Sequence, residues 1–102
     1  MELPTISNYG EYSGNGNYGA HSLLVDVGPL RVWYSYQTPV AFHVGGQRRV
    51  VRRNEWGTTT GKHLNWIDGG EKAQRAERVN TATFQRLWDE QVAPLLTAGA
   101  AV

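Results

Sequence analysis

The chain contains no cysteine. This excludes a disulfide framework, a thiolate metal site and a cysteine nucleophile, and it fits a reducing compartment. An excess of one charge sign is also missing: ten Lys and Arg stand against nine Asp and Glu, a formal net charge of +1. General nucleic-acid binders are usually far more basic. Phenylalanine occurs only twice, against four Trp and five Tyr. Rings with a polar handle suit half-buried positions and contact surfaces. No apolar run approaches the roughly 18 residues of a membrane span. Met1 to Gly10 has neither the basic start nor the apolar core of a secretory signal. The expectation is a cytoplasmic protein with no membrane partner.

The chain has 102 residues, a length that predicts one domain over residues 1–102. Asn8 to Gly19 reads NYGEYSGNGNYG, a turn-rich loop. His21–Val27 and Leu30–Tyr36 alternate apolar and polar residues around Gly28-Pro29 and predict a hairpin. Pro39–Val44 is a third strand of the same kind, with Val40, Phe42 and Val44 in phase. Gly45-Gly46 predicts a tight turn into a fourth strand over Gln47–Arg53. Beyond Trp56 the pattern becomes helical. Thr58, Thr59 and Thr60 offer capping hydroxyls to a short helix over Lys62–Asp68, with Leu64 and Ile67 facing inward and Gly69-Gly70 as its stop. Glu71–Arg78 is a charged stretch without a clear period. Phe84, Leu87, Trp88, Val92, Leu95 and Leu96 form one stripe of a helix from Thr81 to about Leu96. Pro94 should kink its last turns, and a frayed tail follows over 99–102.

The predicted fold is therefore α+β. It is a four- or five-stranded antiparallel meander with the C-terminal amphipathic helix on one face and a short helix near residues 60–68 closing an edge or an end. One helix does not cover both faces of an aromatic-rich sheet, with Trp33 phased against Tyr34 and Tyr36. Self-association as a homodimer or a higher closed oligomer is expected on that ground.

Several motif matches fail on context. Gly14, Gly16 and Gly19 spell G-x-G-x-x-G, but a strand follows where a dinucleotide site needs a helix. Gly57 to His63, GTTTGKH, has one residue too few between its glycines for a P-loop, and His63 replaces the magnesium-holding hydroxyl. His21, His43 and His63 lack metal-ligand spacing, and Glu55 and Asp68 form no pair with them. No catalytic signature occurs, so no catalytic residue, cofactor or metal ligand is assigned. Arg48, Arg49, Arg52 and Arg53 make the one basic cluster. On a continuous strand, Arg48 and Arg52 would share one face, and Arg49 and Arg53 the other. They serve either as edge gatekeepers or, with Arg31, as an anion-binding surface.

Ser7-Asn8-Tyr9-Gly10, Asn17-Tyr18-Gly19-Ala20-His21, Tyr34 to Phe42 (YSYQTPVAF) and Trp56 to Gly70 (WGTTTGKHLNWIDGG) together resemble a family of small proteins of tailed bacteriophages and prophages. The similarity spans roughly residues 5–96. It implies a setting in the cytoplasm of an infected bacterium, where small accessory proteins act by binding, and it implies no residue roles. The segment richest in suitable groups holds Trp56, Thr58, Thr59, Thr60, Lys62, His63, Asn65 and Trp66. Donors, a cation and stackable rings are what a nucleotide or other phosphate-bearing ligand needs. The leading expectation is thus a non-catalytic binder that sequesters a nucleotide signal and counters host defence, with Lys62 as its cation. The alternatives are a protein–protein inhibitor of a host defence factor, with Tyr, Trp and Arg as its contact surface, and weak nucleic-acid binding through Arg48–Arg53.

Overall fold

The computed structural model describes residues 5–9 and 22–100, without the side chains of Asn8, Thr58, Thr59 and 97–100. Most of the Gly-rich run over 8–19, its glycine motif and His21 lie outside the described residues. Five strands, β1 (Thr5–Asn8), β2 (Leu23–Val27), β3 (Leu30–Ser35), β4 (Thr38–Val44) and β5 (Val50–Val51), form one antiparallel sheet in chain order. Gly28, with φ +55°, makes the β2–β3 turn possible, because a two-residue hairpin loop needs a positive φ at its first central residue. Tyr36, with φ +56°, takes the same place between β3 and β4, where a non-glycine residue is strained.

Alternation along β3 sends Leu30 and Val32 to one face and Trp33 to the other. Both faces are covered. Helix α3 (Thr81–Gln91) brings Phe84 onto Leu30, Val32, Phe42 and Val50. Phe42 meets Phe84 and Trp88 in edge-on contacts at 5.3 and 5.6 Å between ring centres. On the opposite face, helix α1 (Thr58–Asp68) lays Leu64 and Ile67 against Trp33, Val40, Ala41 and Val51. The short helix thus caps a sheet face and not an edge or an end. The apolar surface from which self-association was expected is largely covered within the chain. Among the described residues it persists at Ile6 and Leu96 and at three aromatic side chains, Tyr36, Trp56 and Trp66.

Strand β4 departs from simple alternation. Its register on β3 shifts, so that Ala41 faces Trp33 and Pro39 faces Tyr34, which leaves Val40 as an extra residue. A bulge puts two residues against one. Val40 therefore joins Ala41 on the α1 face, while Phe42 goes to the α3 face. The expected common phase of Val40 with Phe42 and Val44 is corrected on that account. Pro39 has no N–H to give and fits at such an irregularity.

Strand β5 is much shorter than the expected Gln47–Arg53. After the turn closed by the Gln47 amide on the Val44 carbonyl, pairing resumes only at Val50. Past Val51 the edge is covered by Val79. Its amide donates to the Val51 carbonyl, and its own carbonyl accepts from the Arg53 amide. A short helix α2 (Lys72–Ala76) occupies the charged stretch. Asn80 caps α3 by accepting from the Thr83 amide at 2.8 Å.

The C-terminal stripe is two helices, α3 and α4 (Ala93–Ala100), separated at Val92. Pro94 supplies no amide for the Glu90 carbonyl, and its ring crowds that turn. The break thus falls two residues before the proline, and helix continues through Ala100 where a frayed tail was expected from 99. Val92 is fully buried at the junction.

Leu64 is fully buried and anchors α1 to the sheet. Leu64→Ala is expected to lower unfolding free energy by about 2–5 kcal/mol, measured by urea denaturation.

Candidate functional site

The polar residues of the α1 face gather at the two ends of α1. At its N-terminal end, Asn54 shapes the approach. Its Oδ1 accepts the Trp56 amide at 2.9 Å, and its Nδ2 donates to the Gly57 carbonyl at 3.2 Å. The helix starts after Gly57, with no side-chain cap. The expected hydroxyl capping by the threonines is corrected to the extent that Thr60 is described: its hydroxyl bonds Ser35 Oγ at 3.0 Å. Ser35 Oγ also meets His63 Nδ1 at 2.7 Å. All three side chains are buried, so the group is a polar cluster inside the α1 layer. The His63 ring lies 5.9–6.0 Å from the rings of Tyr9, Tyr36 and Trp66. Above the cluster opens a cavity of about 160 Å³ lined by Ser35, Tyr36, Thr38, Val40, Trp56 and Thr60.

At the C-terminal end, Gly69 takes φ +90° and its amide closes the helix on the Asn65 carbonyl. Gly70 follows at φ +70°, where a Cβ would lie 2.7 Å from Asn65 Oδ1. Glycine is therefore required there twice, by conformation and by space. This tight exit aims Asp68 and Asn65 at Arg78. Arg78 Nε and Nη2 donate to the two Asp68 oxygens at 2.7 and 2.8 Å, and Nη2 also reaches Asn65 Oδ1 at 3.1 Å. The ion pair is almost wholly buried, with side-chain exposures of 6% and 4%. Burial alone would raise the Asp68 carboxyl. Hydrogen bonds from Arg78 and the Gly70 amide, with the charges of Arg78 and Arg49, outweigh it and hold the group below its ordinary value.

Arg78 lines a second cavity, of about 260 Å³, with Arg48, Arg49, Asp68, Glu77 and others. An arginine carries five donors, and Nη1 of this one makes no hydrogen bond among the described residues. Arg48 reaches Glu77 at 3.4 Å in an exposed pair, which contributes little. Arg49 has no carboxylate partner among the described residues, and its guanidinium lies 6.0 Å from the Trp33 ring centre.

The segment expected to act as one site is divided. Trp56 and Thr60 line the first cavity, His63 lies buried beneath it, and Asn65 turns toward Arg78. Trp66 is exposed beside His63. Lys62 is exposed and belongs to the lining of neither cavity. The side chains of Thr58 and Thr59 are not described. The basic cluster also rearranges. Arg48 and Arg49 precede β5, so strand alternation does not separate them, and both reach the second cavity. Arg52 instead lies between the rings of Trp56 and Phe84, 4.7 and 4.9 Å from their centres, and donates to Thr81 Oγ1 at 2.9 Å. Arg53 is exposed, and Arg31 is tied to Asp26 at 2.6 Å. Sequence reasoning missed Ser35, Tyr36 and Thr38, whose signal was a two-residue turn with no glycine. It also missed the pairing of Asp68 with Arg78, ten residues apart and outside any period.

The chain belongs to DUF8033, a family of unknown function, whose pattern matches residues 1–86. Comparison with curated proteins and with solved structures returns no match. No helix among the described residues is long and apolar enough to cross a membrane.

Asp68→Asn is expected to cost about 3–5 kcal/mol, because Arg78 would stay buried without its counter-charge. A carboxyl held low in the folded state stabilises fully above its unfolded value of about 3.9. That contribution is lost as pH falls through the lower folded value. Urea titrations below about pH 5 should show this acid limb in the wild type and a shallower one in Asp68→Asn.

Proposed function

We propose that this chain is a non-catalytic binding protein for a phosphate-bearing ligand, held in the cavity of Arg48, Arg49 and Arg78. The observation that carries the reading is Arg78: more than nine-tenths buried, lining the cavity, with Nη1 donors that no described residue accepts. Arg49 adds a charge without a carboxylate partner among the described residues. One objection is the position, since the cavity sits at the negative end of α1. A helix terminus contributes about 0.3–1 kcal/mol within its last turn. Each charge-assisted hydrogen bond contributes about 1.5–3 kcal/mol. The guanidinium groups therefore decide the sign. In the setting that the phage resemblance implies, the cytoplasm of an infected bacterium, a nucleotide signal is the ligand whose capture would counter host defence.

A second reading, a protein–protein inhibitor of a host factor, is favoured by one observation. Tyr36, Trp56 and Trp66 are 40–44% exposed, and exposed Tyr and Trp are typical anchors of protein contacts.

Thermal shift and calorimetry with inorganic phosphate, a linear and a cyclic nucleotide, and the matching uncharged nucleosides test the first reading. Phosphate-bearing probes should raise the melting temperature, as any ligand of the folded state must, and nucleosides should not. Arg49→Ala should weaken binding by about 10- to 150-fold while changing stability by no more than about 0.5 kcal/mol. Lys62→Ala should bind normally. The reverse pattern would move the anion site to the start of α1.

A further inference from the structure

The cavity over Ser35 has a different chemistry from the arginine cavity. We propose that it is a second, separate site that takes an uncharged polyhydroxylated ring, a neutral hexose. Among the described residues no charged side chain lines it, so an ionic ligand gains no direct charge partner from them. Three aliphatic hydroxyl residues do line it, Ser35, Thr38 and Thr60, beside the phenol of Tyr36. Ser35 and Thr60 bond each other, and Ser35 continues to His63. The network is thus held from beneath while hydroxyl hydrogens remain free to reorient. Thr38 makes no side-chain hydrogen bond among the described residues and is available to a ligand. A sugar offers the same amphoteric hydroxyls in return.

The walls supply the other half of sugar recognition, flat ring faces for C–H groups to lie on. Trp56 and Tyr36 are 43% and 44% exposed, yet each has a neighbour behind it, which for Tyr36 is the buried His63 ring at 5.9 Å. The Trp56 ring rests on the Arg52 guanidinium at 4.7 Å, which is backed in turn by Phe84. Its amide is tied to Asn54. Tyr36 sits at φ +56°, a conformation retained against its cost of roughly 1–3 kcal/mol. A Trp56 ring held exposed on its Arg52 support lowers the ordering cost of binding. The volume of about 160 Å³ suits a single ring.

The test is a titration of the full-length chain with D-glucose, D-galactose, D-mannose and N-acetyl-D-glucosamine. It is followed by the Trp56 indole N–H resonance in two-dimensional NMR, with adenosine and uridine as comparators. At least one sugar should give a saturable shift, with a dissociation constant on the order of 1–10 mM for so small a ligand. Trp56→Ala should weaken that binding by at least about tenfold, as read from the remaining cavity amides. Thr38→Val, which keeps the shape and removes the hydroxyl, should weaken it about 3- to 10-fold. Melting temperatures of both variants verify folding. Arg49→Ala should leave sugar binding unchanged, so this site stands or falls independently of the phosphate reading. The proposal is overturned if no sugar gives a saturable shift up to about 100 mM, if Trp56→Ala and Thr38→Val both bind as the wild type does, or if only the nucleosides bind.

Discussion

The buried contact between Arg78 and Asp68 is the constraint on which the α1 side of the molecule depends. The cost of taking two charges out of water is offset only by a well-formed pair with supporting hydrogen bonds. Here both Asp68 oxygens accept from Arg78, and Oδ1 also takes the Gly70 amide. Meeting that requirement determines where α1 ends, why two left-handed glycines follow it, and how the chain returns through α2 to Val79 at the sheet edge. The larger cavity is what this return encloses. Its arginines are an outcome of the same geometry, since Arg49 also adds to the field acting on Asp68.

The other side of the design is the bulge in β4. With Val40 and Ala41 on one face, the sheet presents a broader apolar platform to α1 than strict alternation would give. Leu64 and Ile67 are thereby buried. The same irregularity lies close to the Tyr36–Gln37 turn and brings Val40 into the lining of the smaller cavity. A packing device and a binding surface therefore share one residue.

Much of this architecture was legible in the chain. Period-two runs around Gly28 and the stripe from Phe84 to Leu96 report local geometry, and local geometry repeats. The antiparallel sheet, the inward Leu64 and Ile67, and the α3 start at Thr81 followed from them. What did not follow depends on partners distant in sequence. The bulge moved Val40 to the other face because Trp33 meets Ala41, a relation invisible within β4 itself. Arg48 and Arg49 read as strand residues because nothing local announces that β5 begins at Val50. Composition singled out Trp56 and Thr60, which line the smaller cavity. The organisation of that cavity was not legible, because the Thr60 hydroxyl serves Ser35, twenty-five residues earlier, and not the helix start.

The strand order has a kinetic consequence. Each of the five described strands neighbours the one before it, so forming this sheet closes only loops between successive strands, with modest loss of chain freedom. The hairpins around Gly28-Pro29, Tyr36-Gln37 and Gly45-Gly46 can each form within microseconds. The bridge of Arg52 to Val79 joins residues separated by all of α1 and α2, so loop-closure entropy favours its forming after the hairpins. Rapid assembly of a nearly complete meander, followed by later closure of its β5 edge, is the route this topology favours. On such a route β5 would be an open edge until Val79 is seated, and charged residues such as the arginines flanking Val50 and Val51 disfavour pairing of an open edge with another molecule.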